Sequence, residues 1–170
     1  MKALFSIFLA IGMVLAWGPS SGSEEEKSKN RLAPEVLEIL KKADHFELFS
    51  CDPEFRENKD KGKEDNGFHG FKVLGGIPIK SEKQRQMLVE ALVAGMAEKN
   101  IMPAKCFIPR HGIRASAGKK QVDLVICFEC SQLDVYLIPD DTQRKRLLIG
   151  RSPAGVFNKV LREAKIPMAK

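Results

Sequence analysis

The sequence predicts an α+β fold, a mostly antiparallel sheet with about three helices packed on one of its faces. Three observations point there. Apolar residues recur at helical spacing in three separate stretches, at 34–43, 81–100 and 152–164. Between them lie runs of Val, Ile, Leu and Phe that alternate with polar residues, as half-buried strands do. Short turn signals join most of those runs directly, without the long crossovers that parallel strands need. The expected order is α-β-β-α-β-β-β-α.

Pro34 opens the first helix, because its fixed φ and missing amide suit a first turn. Val36, Leu37, Ile39, Leu40 and Ala43 form its apolar stripe, with Glu35, Glu38, Lys41 and Lys42 lying elsewhere. Residues 45–51 read as a strand ended by Asp52-Pro53, and 54–67 as a charged loop without periodicity. A second strand is expected over 67–79, bent at Gly75-Gly76. Ser81 and Gln84 form a capping box at the start of the second helix. Met87, Leu88, Ala91, Leu92, Gly95 and Met96 line its inner face as far as Asn100, and the methionines read as core filler rather than ligands. Further strands are expected at 106–115 and 121–138, joined around Ala117-Gly118-Lys119, and at 144–149. Ser152 is the expected cap of the last helix, with Pro153 at its first position. Val156, Phe157, Val160, Leu161 and Ala164 give that helix its apolar face.

The first residues carry an expectation of export. Lys2 precedes an apolar stretch over 3–17 of about fifteen residues, the length of a signal-peptide core. A membrane span needs about twenty, so an uncleaved anchor is the competing reading. Small residues from Gly18 to Ser23 then offer cleavage near Gly22 or Ser23. The chain divides into a signal peptide (1–22), a flexible tether (23–31) and a single α+β domain (32–170). It is expected in the periplasm or outside the cell, with no membrane span after cleavage. The net charge is +6, but 28 Lys and Arg are interleaved with 22 Asp and Glu. With one Trp and one Tyr, neither a basic stripe nor a stacking platform for nucleic acid is present.

Four cysteines in an oxidising compartment point first to disulfides. Three of them lie in two facing segments. With the turn centred near Gly118, and Ala115 opposite Gln121, Cys106 falls opposite Cys130, Pro109 opposite Cys127 and His111 opposite Val125. Directly opposed α-carbons are about 4.5–5.5 Å apart, a separation that a disulfide can bridge. Strand alternation places Val122, Leu124, Ile126, Phe128 and Cys130 on one face, with Asp123, Cys127 and Glu129 on the other. The apolar phase changes near Ser131-Gln132, where a bulge is expected. Cys106 can therefore meet only one cysteine of the Cys-x-x-Cys pair, and Cys130 is the expected one.

The preferred reading is a structural Cys106–Cys130 disulfide, with Cys51–Cys127 as a second bridge. A Cys₃His zinc site of Cys106, His111, Cys127 and Cys130 competes with it, since Cys-x-x-Cys is a usual zinc spacing. Zinc is the one cofactor so implied, and it requires the strand to break into a knuckle at Phe128-Glu129. A third reading makes Cys106 a nucleophile and His111 its base, which needs a depressed thiol pKa and an open site. A Cys127/Cys130 redox couple ranks low, because such pairs sit at helix N-termini and this one lies in a strand pattern. Arg110 and Arg114 could line an anion pocket, although cross-strand ion pairs with Asp123 and Glu129 are the simpler reading. His45 and His69 stand apart from any cysteine or acidic cluster and read as ordinary histidines.

The paired segments Cys-Phe-Ile-Pro-Arg-His-Gly-Ile-Arg (106–114) and Asp-Leu-Val-Ile-Cys-Phe-Glu-Cys (123–130) resemble those of a family of uncharacterised exported bacterial proteins. The resemblance covers 46–138 and implies an exported or periplasmic setting. It marks Cys106, Arg110, His111, Cys127 and Cys130 as the residues to test, leaves Cys51 outside the motif and brings no assigned activity. The functional expectation is a non-enzymatic binding or structural module, partner unknown, braced at its cysteine hairpin. A zinc module and a small thiol- or His-dependent enzyme are the alternatives.

Overall fold

A computed structural model describes residues 30–56, 67–139 and 144–169. Along the chain come α1 (Pro34–Lys42), β1 (His45–Arg56), β2 (Gly67–Phe68), β3 (Phe71–Pro78) and α2 (Glu82–Met96). Then follow β4 (His111–Ala117), β5 (Lys120–Cys127), β6 (Gln132–Ile138), β7 (Lys145–Leu148) and α3 (Ala154–Glu163). The strands form one sheet in the order β2-β3-β1-β4-β5-β6-β7, and every pairing is antiparallel. The fold is α+β with three helices among the described residues.

Alternation along the central strands separates two apolar layers. Leu48, Ile113, Leu124 and Val135 stand in one cross-strand row. They share the main core with Leu40 of α1, Leu88 and Leu92 of α2, and Phe157 and Leu161 of α3. On the opposite face Phe49, Cys51, Phe68, Phe71 and Val125 form a smaller cluster, with Phe107 and Tyr136 packed against it. Phe68 arrives there because the β2–β3 hairpin lies against Gly112. A Cβ at Gly112 would stand 2.6 Å from the Phe68 ring, closer than carbon atoms approach, so this strand position requires glycine.

The structure has more strands than expected. Residues 67–79 form a hairpin, turning at His69 (φ 53°) and Gly70 (φ 84°). The expected bend at Gly75-Gly76 is a register shift in which Gly75 pairs with Ser50 while Val73 pairs with Cys51. The first strand runs past Pro53 to Arg56, and the charged loop at 57–66 lies outside the described residues. The single strand expected over 121–138 is two strands joined by a turn at 128–131, and 106–110 precede β4 as irregular chain. Ser81 does cap α2, accepting from the Gln84 amide, but that helix ends at Met96 and Met87 is exposed. Ser152 caps nothing: its hydroxyl and amide both donate to the Glu98 carboxylate, and Pro153 occupies the cap position of α3. Asn30, placed by sequence in the tether, donates to the carbonyls of Met96 and Leu148 and accepts from the Leu148 amide.

Candidate functional site

The sulfur atoms of Cys106, Cys127 and Cys130 come together where β5 turns into β6. Cys127 ends β5, and the chain reverses through 128–131 with Ser131 in the left-handed region (φ 56°). That tight turn brings the Cys127 and Cys130 α-carbons to 5.2 Å, and the two sulfurs are bonded. The Cys130 amide donates to Cys127 Sγ at 3.0 Å. Irregular chain over 101–110 runs alongside and is pinned to the turn. The Ala104 amide donates to the Cys130 carbonyl at 2.9 Å, the Gln132 side chain donates to the carbonyls of Ala104 and Cys106, and the Ile108 amide donates to Cys130 Sγ at 3.3 Å. Cys106 Sγ consequently lies 3.7 Å from Cys130 Sγ. Cys106 is exposed, whereas Cys127 and Cys130 are each 1% exposed.

The expected Cys106–Cys130 bridge is thus corrected: Cys130 bonds to Cys127. Two physical reasons account for the difference. The β4–β5 turn contains only Gly118 and Lys119 between the paired Ala117 and Lys120, so His111 pairs with Ile126 rather than Val125. This one-residue slip reverses the facing of every expected pair. In addition, the phase change at Ser131-Gln132 marks a reversal of the chain rather than a bulge, which frees Cys127 and Cys130 to approach each other. The second expected bridge, Cys51–Cys127, is not formed either. Cys51 is free and buried, and burial pushes its thiol up to about 12.

His111 does not join the sulfurs. In β4 it stands in the row of Ser50, Ile126 and Leu133, on the helix-covered face, whereas Cys127 belongs to the alternate row with Asp123 and Val125. His111 Nε2 lies 2.7 Å from Asn158 Oδ1 on α3, and its ring packs beside Phe128 and Phe157. Burial drives its pKa down to about 4, against the opposing effect of the Asn158 hydrogen bond. The Cys₃His set is therefore split by the sheet. Among the described residues no group of three or more His, Cys, Asp or Glu side chains is arranged to hold a metal ion. The Cys106–His111 nucleophile–base pair loses its base for the same reason.

Arg110 and Arg114 both lie in ion pairs. Arg110 meets the exposed Glu129 at 2.5 Å. Arg114 reaches the two oxygens of Asp123 at 2.9 and 2.6 Å, and Asp123 is fully buried. Sequence reasoning missed the third partner: His69 Nε2 meets Asp123 Oδ2 at 2.8 Å, with its ring stacked on Tyr136. Burial alone would raise the Asp123 carboxyl, but hydrogen bonds from Arg114 and His69 outweigh it and hold the group below its ordinary value. The only trace of this role in the sequence is the His69-Gly70 turn. Next to it Asp134 takes both contacts of Arg146, whose guanidinium lies 4.4 Å from the centre of the Phe107 ring.

No protein-family model, curated protein or solved structure matches this chain. Among the described residues no helix is long and apolar enough to cross a membrane. Fold and site together define an α+β domain with a disulfide-closed turn and an exposed thiol at its edge.

Proposed function

We propose that this chain is an exported, non-enzymatic binding or structural module whose β5–β6 turn is braced by the Cys127–Cys130 disulfide. The observation that carries this reading is the bond itself, formed between two buried sulfurs at the centre of a hydrogen-bonded turn. A disulfide persists in an oxidising compartment, which accords with Lys2 and the apolar stretch that follows it. The polar side chains that a hydrolytic site would use are engaged internally: His111 with Asn158, and His69 and Arg114 with Asp123.

Cell fractionation of the expressed full chain, with N-terminal sequencing, tests the proposal. The mature protein is expected outside the cytoplasm, beginning near Ser23, with Cys127 and Cys130 linked. Uncleaved protein in the cytoplasm with every thiol free would overturn it.

A further inference from the structure

We propose that Cys106, Cys127 and Cys130 form a thiol–disulfide exchange site, in which Cys106 meets an external disulfide and passes oxidising equivalents to the protected pair. The substrate class is a thiol–disulfide couple small enough to reach Cys106. The inference rests on the Cys127–Cys130 bond of the preceding reading.

Position argues for it first. At 3.7 Å, the Cys106 and Cys130 sulfurs are in contact, and a short approach brings the thiolate into attacking range. Accessibility then fixes the direction of traffic. Cys127 and Cys130 are 1% exposed, so an external thiol or disulfide reaches them only through the exposed Cys106. Cys51 stands outside the exchange, buried in the cluster with Phe49 and Val125. The local geometry suits the closing step: the turn holds the Cys127 and Cys130 α-carbons 5.2 Å apart, and the Cys130 amide donates to Cys127 Sγ. Cys106 also belongs to irregular chain rather than to the ladder that begins at His111, so its approach to Cys130 breaks no strand pairing.

The chemistry balances. The Cys106 thiolate attacks an external disulfide RSSR, forming Cys106–SR and releasing one thiolate RS⁻. In the reduced pair, the Cys130 thiolate attacks Cys106 Sγ; the Cys106–Cys130 bond forms and a second RS⁻ leaves. The Cys127 thiolate then attacks Cys130 Sγ, closing Cys127–Cys130 and returning the electron pair to Cys106. One RSSR is reduced to two thiols while one protein dithiol is oxidised.

Fully reduced full-length protein, mixed with oxidised glutathione, quenched with acid, alkylated and peptide-mapped over time, tests the scheme. Wild-type protein is expected to show glutathione on Cys106, then a transient Cys106–Cys130 bond, then Cys127–Cys130. Cys106→Ser is expected to slow closure of the pair by about tenfold or more, and Cys127→Ser to accumulate Cys106–Cys130. Closure at the wild-type rate in Cys106→Ser overturns the exchange site. So does a wild-type time course without a Cys106–Cys130 species, a readout that needs no variant to fold. If the pair never closes in any sample, the disulfide brace has failed as well; if it closes without Cys106, only the exchange scheme has.

Discussion

His69 Nε2 lies 2.8 Å from Asp123 Oδ2, joining residues that are 54 positions apart. The contact fastens the tip of the β2–β3 hairpin to the middle of the sheet, on the face away from the helices. Asp123 also takes both contacts of Arg114, so three elements depend on one buried carboxylate. Asp123→Asn is expected to destabilise the fold by about 2–4 kcal/mol, since it leaves the Arg114 guanidinium and the His69 ring facing a neutral amide. Urea denaturation measures it. Lys120→Ala, which removes an exposed pair with Glu35, is expected to change nothing measurable, and equal effects in the two variants would contradict the account.

His111 makes stability depend on pH. Its folded pKa is about 4 against 6.5 for the free group, so between those values the unfolded chain binds a proton that the native protein does not. Stability contributed by this residue is therefore intact above about pH 6.5 and falls as pH drops toward 4, by about 3 kcal/mol in all. Asp123, with its lowered pKa, adds loss in the same direction at lower pH. Thermal unfolding of wild type and His111→Gln from pH 7.5 to 4 separates the two. The variant is expected to lose stability less steeply, and parallel curves would exclude His111 as the source.

Gly112 is a steric requirement of the folded hairpin. Gly112→Ala places a methyl group against Phe68 and is expected to destabilise by about 1–3 kcal/mol. Gly155 in α3 has nothing within 4 Å of an added Cβ. Gly155→Ala is expected to be neutral or to stabilise by up to about 1 kcal/mol, through helix propensity. The opposite order of the two variants in a chemical melt would refute the packing.

The two free cysteines differ in reactivity. Cys51 is buried with its thiol pushed up to about 12, while Cys106 is exposed. In native protein at pH 8, iodoacetamide is expected to modify Cys106 and leave Cys51 intact until the chain unfolds. Early labelling of Cys51, read by peptide mass, would mean that its cluster opens.

The brace itself closes a very short loop. The chain-entropy relation assigns about 2 kcal/mol to it, less than the roughly 3.5 kcal/mol for a bridge spanning from Cys106 to Cys130. Cys127→Ser, kept reduced so that Cys106 and Cys130 do not bond instead, is accordingly expected to lower stability by about 2 kcal/mol while retaining the fold by circular dichroism. A loss of the whole fold would show that the turn depends on the bond far more than loop closure explains.

Periodicity made the helices and the main core legible, because Leu40, Leu88, Leu92, Phe157 and Leu161 repeat at helical spacing and each is buried. The pairing of β4 with β5 was legible, but its register was not. Gly118-Lys119 can be counted as two loop residues or as part of a longer turn, and one residue decides which sulfurs meet. The apolar residues of 121–138 conceal a chain reversal, since the turn residues Phe128 and Cys130 are themselves buried. Ion pairing of Arg110 and Arg114 was legible from the acidic residues of the facing segment, but only Arg114–Asp123 is a cross-strand pair, since Arg110 lies in irregular chain and Glu129 in the turn. His69 did not, because its partner comes from a distant strand through a hairpin that reads as uninterrupted strand.

Thiol titration of the unfolded, unreduced protein with parallel zinc analysis and non-reducing peptide mapping tests the central claim most directly. The structure predicts free thiols at Cys51 and Cys106 alone, with Cys127 and Cys130 in one linked peptide. Four free thiols with an equivalent of zinc, or a bond that includes Cys106 and leaves Cys127 free, would contradict it.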